Sequence, residues 1–138
     1  MSAVSTDELL ERLAGVDSCS VSDALDALGI RGVIAGVAPM GGGDRAIGRA
    51  VTVELGPADG NRTQQHLCTA AIESAGDGTV LVVDHQGRTD CAGWGGNLSR
   101  AAQAAEIEAT LVFGAVRDVD ESRAIGYPVF ATGATPIT

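Results

Sequence analysis

The chain has 138 residues, 45% of them hydrophobic and 20% charged, the profile of one globular domain rather than a disordered segment. Nine basic against eighteen acidic residues leave a net charge of −9, which argues against nucleic-acid binding through phosphates. No apolar run approaches the ~18 residues of a membrane span, so no membrane partner is expected.

The three cysteines, Cys19, Cys68 and Cys91, are widely spaced and form no CxxC or zinc pattern. They read as reduced thiols of a cytoplasmic protein. The opening "MSAVSTDELLERL" has early acids and no basic segment, unlike a secretory signal. Only four residues are aromatic, so the core must be built from Val, Leu, Ile and Ala. Glycine, at 19 of 138, has about twice its usual share, which suits tight turns and close backbone approaches.

Residues 5–14, "STDELLERLA", predict a helix capped by Ser5 or Thr6, with Leu9, Leu10 and Leu13 as its apolar stripe. "SVSDALDALG" predicts a second helix, with Ser20 and Asp23 resembling a capping box and Gly29 as its stop. The glycine-rich stretch 32–48 reads as loop with a short strand at 33–38. Alternation and β-branching predict a strand over 50–55. Leu67, Ala70, Ala71 and Ser74 recur at helical spacing, giving a helix over 61–75. "TVLVVD" is a strand buried on both faces.

A twelve-residue loop with four glycines follows, "HQGRTDCAGWGG", and then a helix over 97–106. "TLVFG" is a second buried strand, "DVDESRAIG" a short helix or turn, and "YPVFATG" a last strand. From residue 50 onward the order β-α-β-α-β-α-β predicts an α/β fold with a parallel β-α-β core and right-handed crossovers. Ligand sites in such sheets lie beyond the carboxyl ends of the strands. Here those ends carry the loops 85–96 and 114–118.

Arg117-Asp118 leaves the strand "TLVFG". An arginine there can clamp a carboxylate or enolate, and the adjacent carboxylate can hold Mg²⁺. The pair can equally be a surface ion pair, with Asp118 capping the next helix. "GWGGNLSRAA" exposes backbone N–H groups where a helix begins near Asn97, a natural anion site. An ordinary loop with Asn97 as N-cap fits the same residues. No GxxxxGK[ST] is present, so nucleotide binding has little support. His66 lies within a helix and reads as structural. His85, at a strand end beside Asp84, is a further candidate site residue. Ser99 and the cysteines have no base placed beside them by the sequence.

The stretches "CSVSDALDALG", "IGRAVTVEL", "TVLVVDHQGRTDCAGWGGNLSRAA" and "TLVFGAVRDVDESRAIGYPVFATGATP" resemble the RraA-like family. That family comprises regulators of ribonuclease activity and 4-hydroxy-4-methyl-2-oxoglutarate aldolases. The resemblance covers about residues 18–136. Gly96, twenty residues, Arg117-Asp118, two residues and Glu121 resemble its aldolase signature. The resemblance implies a swivelling β/β/α fold, a trimer or hexamer, and sites between subunits. It implies that Arg117 contacts the pyruvate moiety, that Asp118 anchors Mg²⁺ or Mn²⁺ partly through waters, and that backbone amides of Gly95-Gly96-Asn97-Leu98 help bind substrate. Two departures stand out. Gly96 occupies a position where the aldolases usually carry a carboxylate. The chain also stops at "ATGATPIT", which reads as a C-terminally shortened member.

The sequence reading is therefore one RraA-like domain over 1–138, with N-terminal helices 5–29 and a core over 46–136. The expected activity is a metal-dependent lyase of the class II aldolase or decarboxylase type. Its substrate would be a small 2-oxo dicarboxylic acid, such as 4-hydroxy-4-methyl-2-oxoglutarate or oxaloacetate, cleaved to pyruvate. Arg117 and Asp118 are the expected catalytic residues, with His85 and Glu121 as further candidates. One alternative is a non-catalytic regulator that binds a protein partner such as a ribonuclease. Another is a metal-dependent lyase with a different substrate.

Overall fold

Short polar side chains start the first two helices. In the computed structural model, which describes residues 5–57, 60 and 65–138, the chain divides into two units, Met1–Ala35 and Gly36–Thr138. In the first, helix α1 (Thr6–Ala14) is capped by Ser5, whose Oγ accepts the Glu8 N–H at 3.2 Å. Helix α2 (Ser18–Ala27) is capped by Asp17 rather than by the expected Ser20-Asp23 box. The Asp17 carboxylate accepts from the Ser20 N–H at 2.8 Å and from the Ser20 hydroxyl at 2.9 Å. A carboxylate is the stronger acceptor for the helix-start amide, and that bond holds Asp17 below the usual carboxylate range. Gly29, at φ 67°, reverses the chain just past α2 as expected.

The second unit contains strands β1 (Ala38–Pro39), β2 (Arg49–Glu54), β3 (Thr79–Asp84), β4 (Ala109–Val116) and β5 (Val129–Ala134). Helices α3 (Thr69–Ser74), α4 (Gly96–Ala104) and α5 (Val119–Ala124) alternate with them. One five-stranded sheet results, in the order β1-β5-β4-β3-β2. β2 to β5 run parallel and β1 is antiparallel to β5. The strands from β2 to β5 are neighbours in chain order, so right-handed crossovers bring all three helices to one face. The burial pattern agrees. Thr79, Leu81 and Val83 are buried, whereas Val80 and Val82 are half-buried. In register with them, Val112 and Ala131 are fully buried, while Leu111 and Phe130 are only half-buried and Phe113 is 41% exposed. The core therefore lies between sheet and helices, and the opposite face is partly open, so β3 is not buried on both faces as its apolar run suggests.

Three expectations need correction. The strand at 33–38 shrinks to Ala38–Pro39. Just after it, Met40, Gly41 and Gly42 donate their N–H groups to carbonyls of Val129 and Tyr127. A Cβ on Gly42 would lie 2.3 Å from the Gly126 carbonyl carbon, so the glycine run serves close backbone contact. The helix over 61–75 begins only at Thr69, because Cys68 adopts a left-handed φ of 61° that interrupts it. Residues 61–64 of that expected helix lie outside the described residues. The helix over 97–106 starts one residue earlier, at Gly96, and ends at Ala104.

The sequence marks Tyr127 only as the start of the last strand, which in the structure begins at Val129. The Tyr127 hydroxyl is buried against the Thr110 hydroxyl at 2.9 Å. Burial pushes its pKa up to about 12 from an ordinary 10.0, and burial pushes the Cys68 thiol up to about 11 from 9.0. Both groups stay protonated in the folded protein while the unfolded chain releases their protons. Stability should therefore be intact below pH 9 and fall as pH rises toward 12. Tyr127 is the only tyrosine, so phenolate absorbance reports it cleanly. The expected result is a lower urea midpoint at pH 11 than at pH 8, with little phenolate signal until the protein unfolds. Phenolate appearing near pH 10 in folded protein would sink this account.

Candidate functional site

The end of β4 is shaped by an irregularity. Its register with β5 shifts between Val112 and Ala115, a bulge that re-aims the strand end. Beyond it, segment 92–94 runs beside β4. Gly93 N–H donates to the Ala115 carbonyl and Arg117 N–H to the Trp94 carbonyl, each at 2.9 Å. Asp118 then adopts a left-handed conformation, φ 54° and ψ 39°. Aspartate tolerates this region better than most residues.

That conformation decides where the Asp118 carboxylate goes. Asp118 stands at the N-cap position of α5 but makes no side-chain cap there. Its Oδ2 instead accepts the N–H of Gly96, the first residue of α4, at 3.2 Å. The Arg117 Nε lies 3.2 Å from Oδ2 and 3.3 Å from Oδ1. Both side chains remain more than a third exposed, at 37% and 38%. The N-cap of α4 is Gly95, which has no side chain to offer, so Asp118 supplies the acceptor from 22 residues away. Asn97, expected as the cap, is an exposed residue inside the first turn.

Gly95 and Gly96 permit this approach. A Cβ on Gly95 would lie 3.0 Å from Asp118 Oδ2 and 3.1 Å from Arg117 Cγ. A Cβ on Gly96 would lie 1.8 Å from Glu121 Oε2. The carboxylate of Glu121 thus fills the volume that a side chain at position 96 would take. The Arg100 Nε holds it there, 2.5 Å from Oε1. Behind the glycines runs a buried polar chain. Trp94 Nε1 donates to Ser99 Oγ at 2.9 Å, and Ser99 Oγ lies 2.8 Å from Ser122 Oγ. Ser99 is therefore a fully buried bridge between α4 and α5. Nothing in the sequence linked Trp94, Ser99 and Ser122.

Arg117 and Asp118 open onto a cleft of about 390 Å³ lined by residues 117–120 and 134–136. The contribution of 134–136 was not anticipated. Its available signal was that a loop following a parallel strand falls at the same sheet edge. The structure brings Arg117, Asp118, Gly95, Gly96 and Glu121 together. Neither Asn97 nor Leu98 lines the cleft; Leu98 packs its side chain in the core, Asn97 is exposed, and their first-turn N–H groups have no acceptor within the helix. His85 is elsewhere. It is buried, its Nε2 lies 3.0 Å from the Cys91 carbonyl, and it is not among the cleft-lining residues. His66 is exposed and lies three residues before α3 begins at Thr69, rather than within a helix as expected.

No group of three His, Cys, Asp or Glu that could hold a metal occurs among the described residues. Two carboxylates line the cleft: Asp118, whose Oδ1 makes only the 3.3 Å contact with Arg117, and Asp120, which is fully exposed and pairs with Arg123 at 3.3 Å. One or two carboxylates suit Mg²⁺, which keeps most of its waters, and do not suit a closed site such as structural zinc.

A sequence model of the RraA-like family, described as Aldolase/RraA, matches residues 18–138. Protein DlpA of Legionella pneumophila is 39% identical over 125 residues, 91% of this chain but 20% of its own length. A Burkholderia mallei protein provisionally named 4-hydroxy-4-methyl-2-oxoglutarate aldolase is 36% identical over 124 residues, covering 89% of this chain and 72% of the relative. Among solved structures, Streptomyces coelicolor RraAS2, an unusual member of the RNase ES inhibitor RraA protein family, superposes with a TM-score of 0.81 at 30% identity. It covers 94% of this chain, which spans 65% of RraAS2.

The steric relation between positions 96 and 121 can be tested directly. Gly96→Ala should drive the Glu121 carboxylate off Arg100 while the fold persists, because the clashing atoms end a flexible side chain. The exposed pair contributes about 1 kcal/mol or less, so urea unfolding should change by no more than that. A crystal structure of the variant should show Glu121 in a new rotamer. Glu121 unmoved beside an alanine would contradict the geometry.

Proposed function

We propose that this chain, which belongs to the RraA-like family, is a divalent-metal-dependent lyase that cleaves a C–C bond of a small 2-oxo dicarboxylic acid to give pyruvate. Candidate substrates are 4-hydroxy-4-methyl-2-oxoglutarate and oxaloacetate. The observation that carries this reading is the Arg117-Asp118 pair, held at the end of β4 and open to the cleft. The aldolase names of relatives such as the Burkholderia protein support it.

Asp118 is the residue proposed to hold Mg²⁺ or Mn²⁺, with waters completing the shell. When bound, the metal supplies Lewis-acid polarisation of the 2-oxo group. The remaining work falls to the chain. The Arg117 guanidinium can pair with a carboxylate through two parallel N–H groups and stabilise negative charge growing on the keto oxygen. The first-turn amides of Asn97 and Leu98, at the positive end of α4, suit a second carboxylate. Glu121, held by Arg100, adds a carboxylate beside Gly96 where the turn carries none.

A second reading rests on a different observation. Position 96 carries no acid, and the solved relative RraAS2 is named within a ribonuclease-inhibitor family. In that reading the chain binds a ribonuclease and turns over nothing.

Assembly is part of the proposal. The half-buried Val82, Leu111 and Phe130 and the exposed Phe113 leave an apolar sheet face that a homo-oligomer, most simply a trimer, would cover. Light scattering at micromolar concentration should give a mass near three times the 13.9 kDa chain. A monodisperse monomer would remove this part of the reading.

The activity test is pyruvate release from oxaloacetate and from 4-hydroxy-4-methyl-2-oxoglutarate, with and without Mg²⁺. Arg117→Ala should lower turnover by about 100-fold, the usual order for losing one stabiliser of a developing oxyanion. Arg117→Lys should restore little, because a point ammonium cannot make the bidentate contact. Asp118→Asn should keep an acceptor for the Gly96 N–H, and with it the fold, yet weaken metal binding. If wild type releases no pyruvate at any Mg²⁺ or Mn²⁺ concentration, the lyase reading fails and the regulator reading replaces it.

A further inference from the structure

Segments 94–99 and 117–122 are joined at three places. At the first, the Arg117 N–H donates to the Trp94 carbonyl at 2.9 Å. At the second, the Gly96 N–H donates to Asp118 Oδ2 at 3.2 Å. At the third, Ser99 Oγ and Ser122 Oγ lie 2.8 Å apart. The second ends on a carboxylate that is more than a third exposed, where water competes for it. The third is sealed from water, because Ser99 and Ser122 are both buried. A buried bond is electrostatically stronger than an exposed one and holds its partners more rigidly.

The hydroxyl hydrogens follow from the network. Ser99 Oγ accepts the Trp94 Nε1–H at 2.9 Å and lies 3.3 Å from the Gly95 carbonyl oxygen. With Ser122 donating to Ser99 and Ser99 donating to Gly95, both hydrogens are used. Ser99 then accepts two bonds and gives one, the whole capacity of a hydroxyl. Such an oxygen is no nucleophile, because its lone pairs are engaged and none of these partners is a base. Its bonds instead reach both sides of the site. Trp94 and Gly95 lead into the glycine turn, and the Ser122 N–H holds the Asp118 carbonyl at 3.2 Å.

The structure assigns Ser99 a positioning role at the Arg117-Asp118 site. It keeps the glycine turn at the distance from the β4 exit at which the Gly96 N–H can hold Asp118 Oδ2. With Oδ2 held there, Oδ1 keeps only its 3.3 Å contact with Arg117 and is the oxygen left for a cation. This inference rests on the proposed function, in which Asp118 holds Mg²⁺ or Mn²⁺. Without the Ser99–Ser122 bond, α4 and α5 can shift against each other, and the carboxylate loses its fixed orientation. A misplacement of about 1 Å in such a group can cost about 100-fold in rate.

The test compares Ser99→Ala and Ser122→Ala with Thr110→Val. Thr110 also makes a buried hydroxyl–hydroxyl bond, with Tyr127 at 2.9 Å, but does not line the cleft. It therefore controls for lost stability alone. Mn²⁺ affinity is read by calorimetry, and pyruvate release from oxaloacetate is read at saturating Mn²⁺ above the metal-only background, on proteins shown to be folded by circular dichroism. Both serine variants should bind Mn²⁺ at least about fivefold more weakly and lose about tenfold in kcat, with KM within about twofold. Thr110→Val should match wild type in all three. If Ser99→Ala fails to fold, Ser122→Ala, which keeps the Trp94–Ser99 bond, decides. Serine variants with wild-type Mn²⁺ affinity would overturn the proposal, as would an equal loss in Thr110→Val or a wild type that binds no Mn²⁺. Mn²⁺ binding that responds to the serines without any pyruvate release would instead end the lyase reading and leave the positioning role standing.

Discussion

One carboxylate joins the two halves of the candidate site. Asp118 belongs to the exit of β4, yet it accepts the leading N–H of α4. It can do so because its own backbone is left-handed and because Gly95 and Gly96 leave room for it. The left-handed turn carries a modest energetic penalty for a residue with a side chain, which the helix-start bond offsets. The consequence is geometric. The direction of Arg117 is set by this carboxylate together with a bond from its Nη1 to Thr138 Oγ1. A side chain at Gly95 would press on Asp118 and Arg117, and one at Gly96 on Glu121.

The sheet was legible because its strands obey one simple rule. Runs such as "TVLVVD" and "TLVF" are apolar and β-branched throughout, which suits strands packed between neighbours. The α1 cap at Ser5 was legible for a similar reason, since a helix start is a local matter. Local signals failed where a stronger competitor stood nearby. Asp17 displaced the Ser20-Asp23 box because a carboxylate accepts the helix-start amide more strongly than a hydroxyl. Cys68 ended a helical pattern early by a backbone conformation that side-chain periodicity does not encode.

The site divides along the same line. Arg117 and Asp118 could be singled out because a charged pair at the end of a buried strand is unusual. Their partners could not. Asp118 and Gly96 lie 22 residues apart, Arg100 and Glu121 lie 21 apart, and Ser99 and Ser122 lie 23 apart. All three links join α4 to α5 or to Asp118, the residue just before it. Only the parallel crossover brings these segments together, and no local pattern records it. The spacing in the family signature is the linear trace of that packing: α4, one connection and β4 separate the glycine from the arginine.

Electrostatics bear on how such a site would attract an acidic substrate. The chain carries a net charge of −9, and at the cleft Arg117 is paired with Asp118 while the exposed Asp120 is paired with Arg123. The charged side chains of the cleft thus cancel in pairs within a negative chain. A dianionic 2-oxo acid would gain little from these residues alone, apart from the short-range pull of the α4 amides. Arg117 can serve such a substrate only if something else balances Asp118. A divalent cation on that carboxylate would both release the guanidinium and make the cleft positive, whereas a basic surface on a protein partner would meet the chain's negative charge over a wider area. An arginine already engaged by a carboxylate is the feature that the proposed lyase has to account for, and a cation held by Asp118 would account for it.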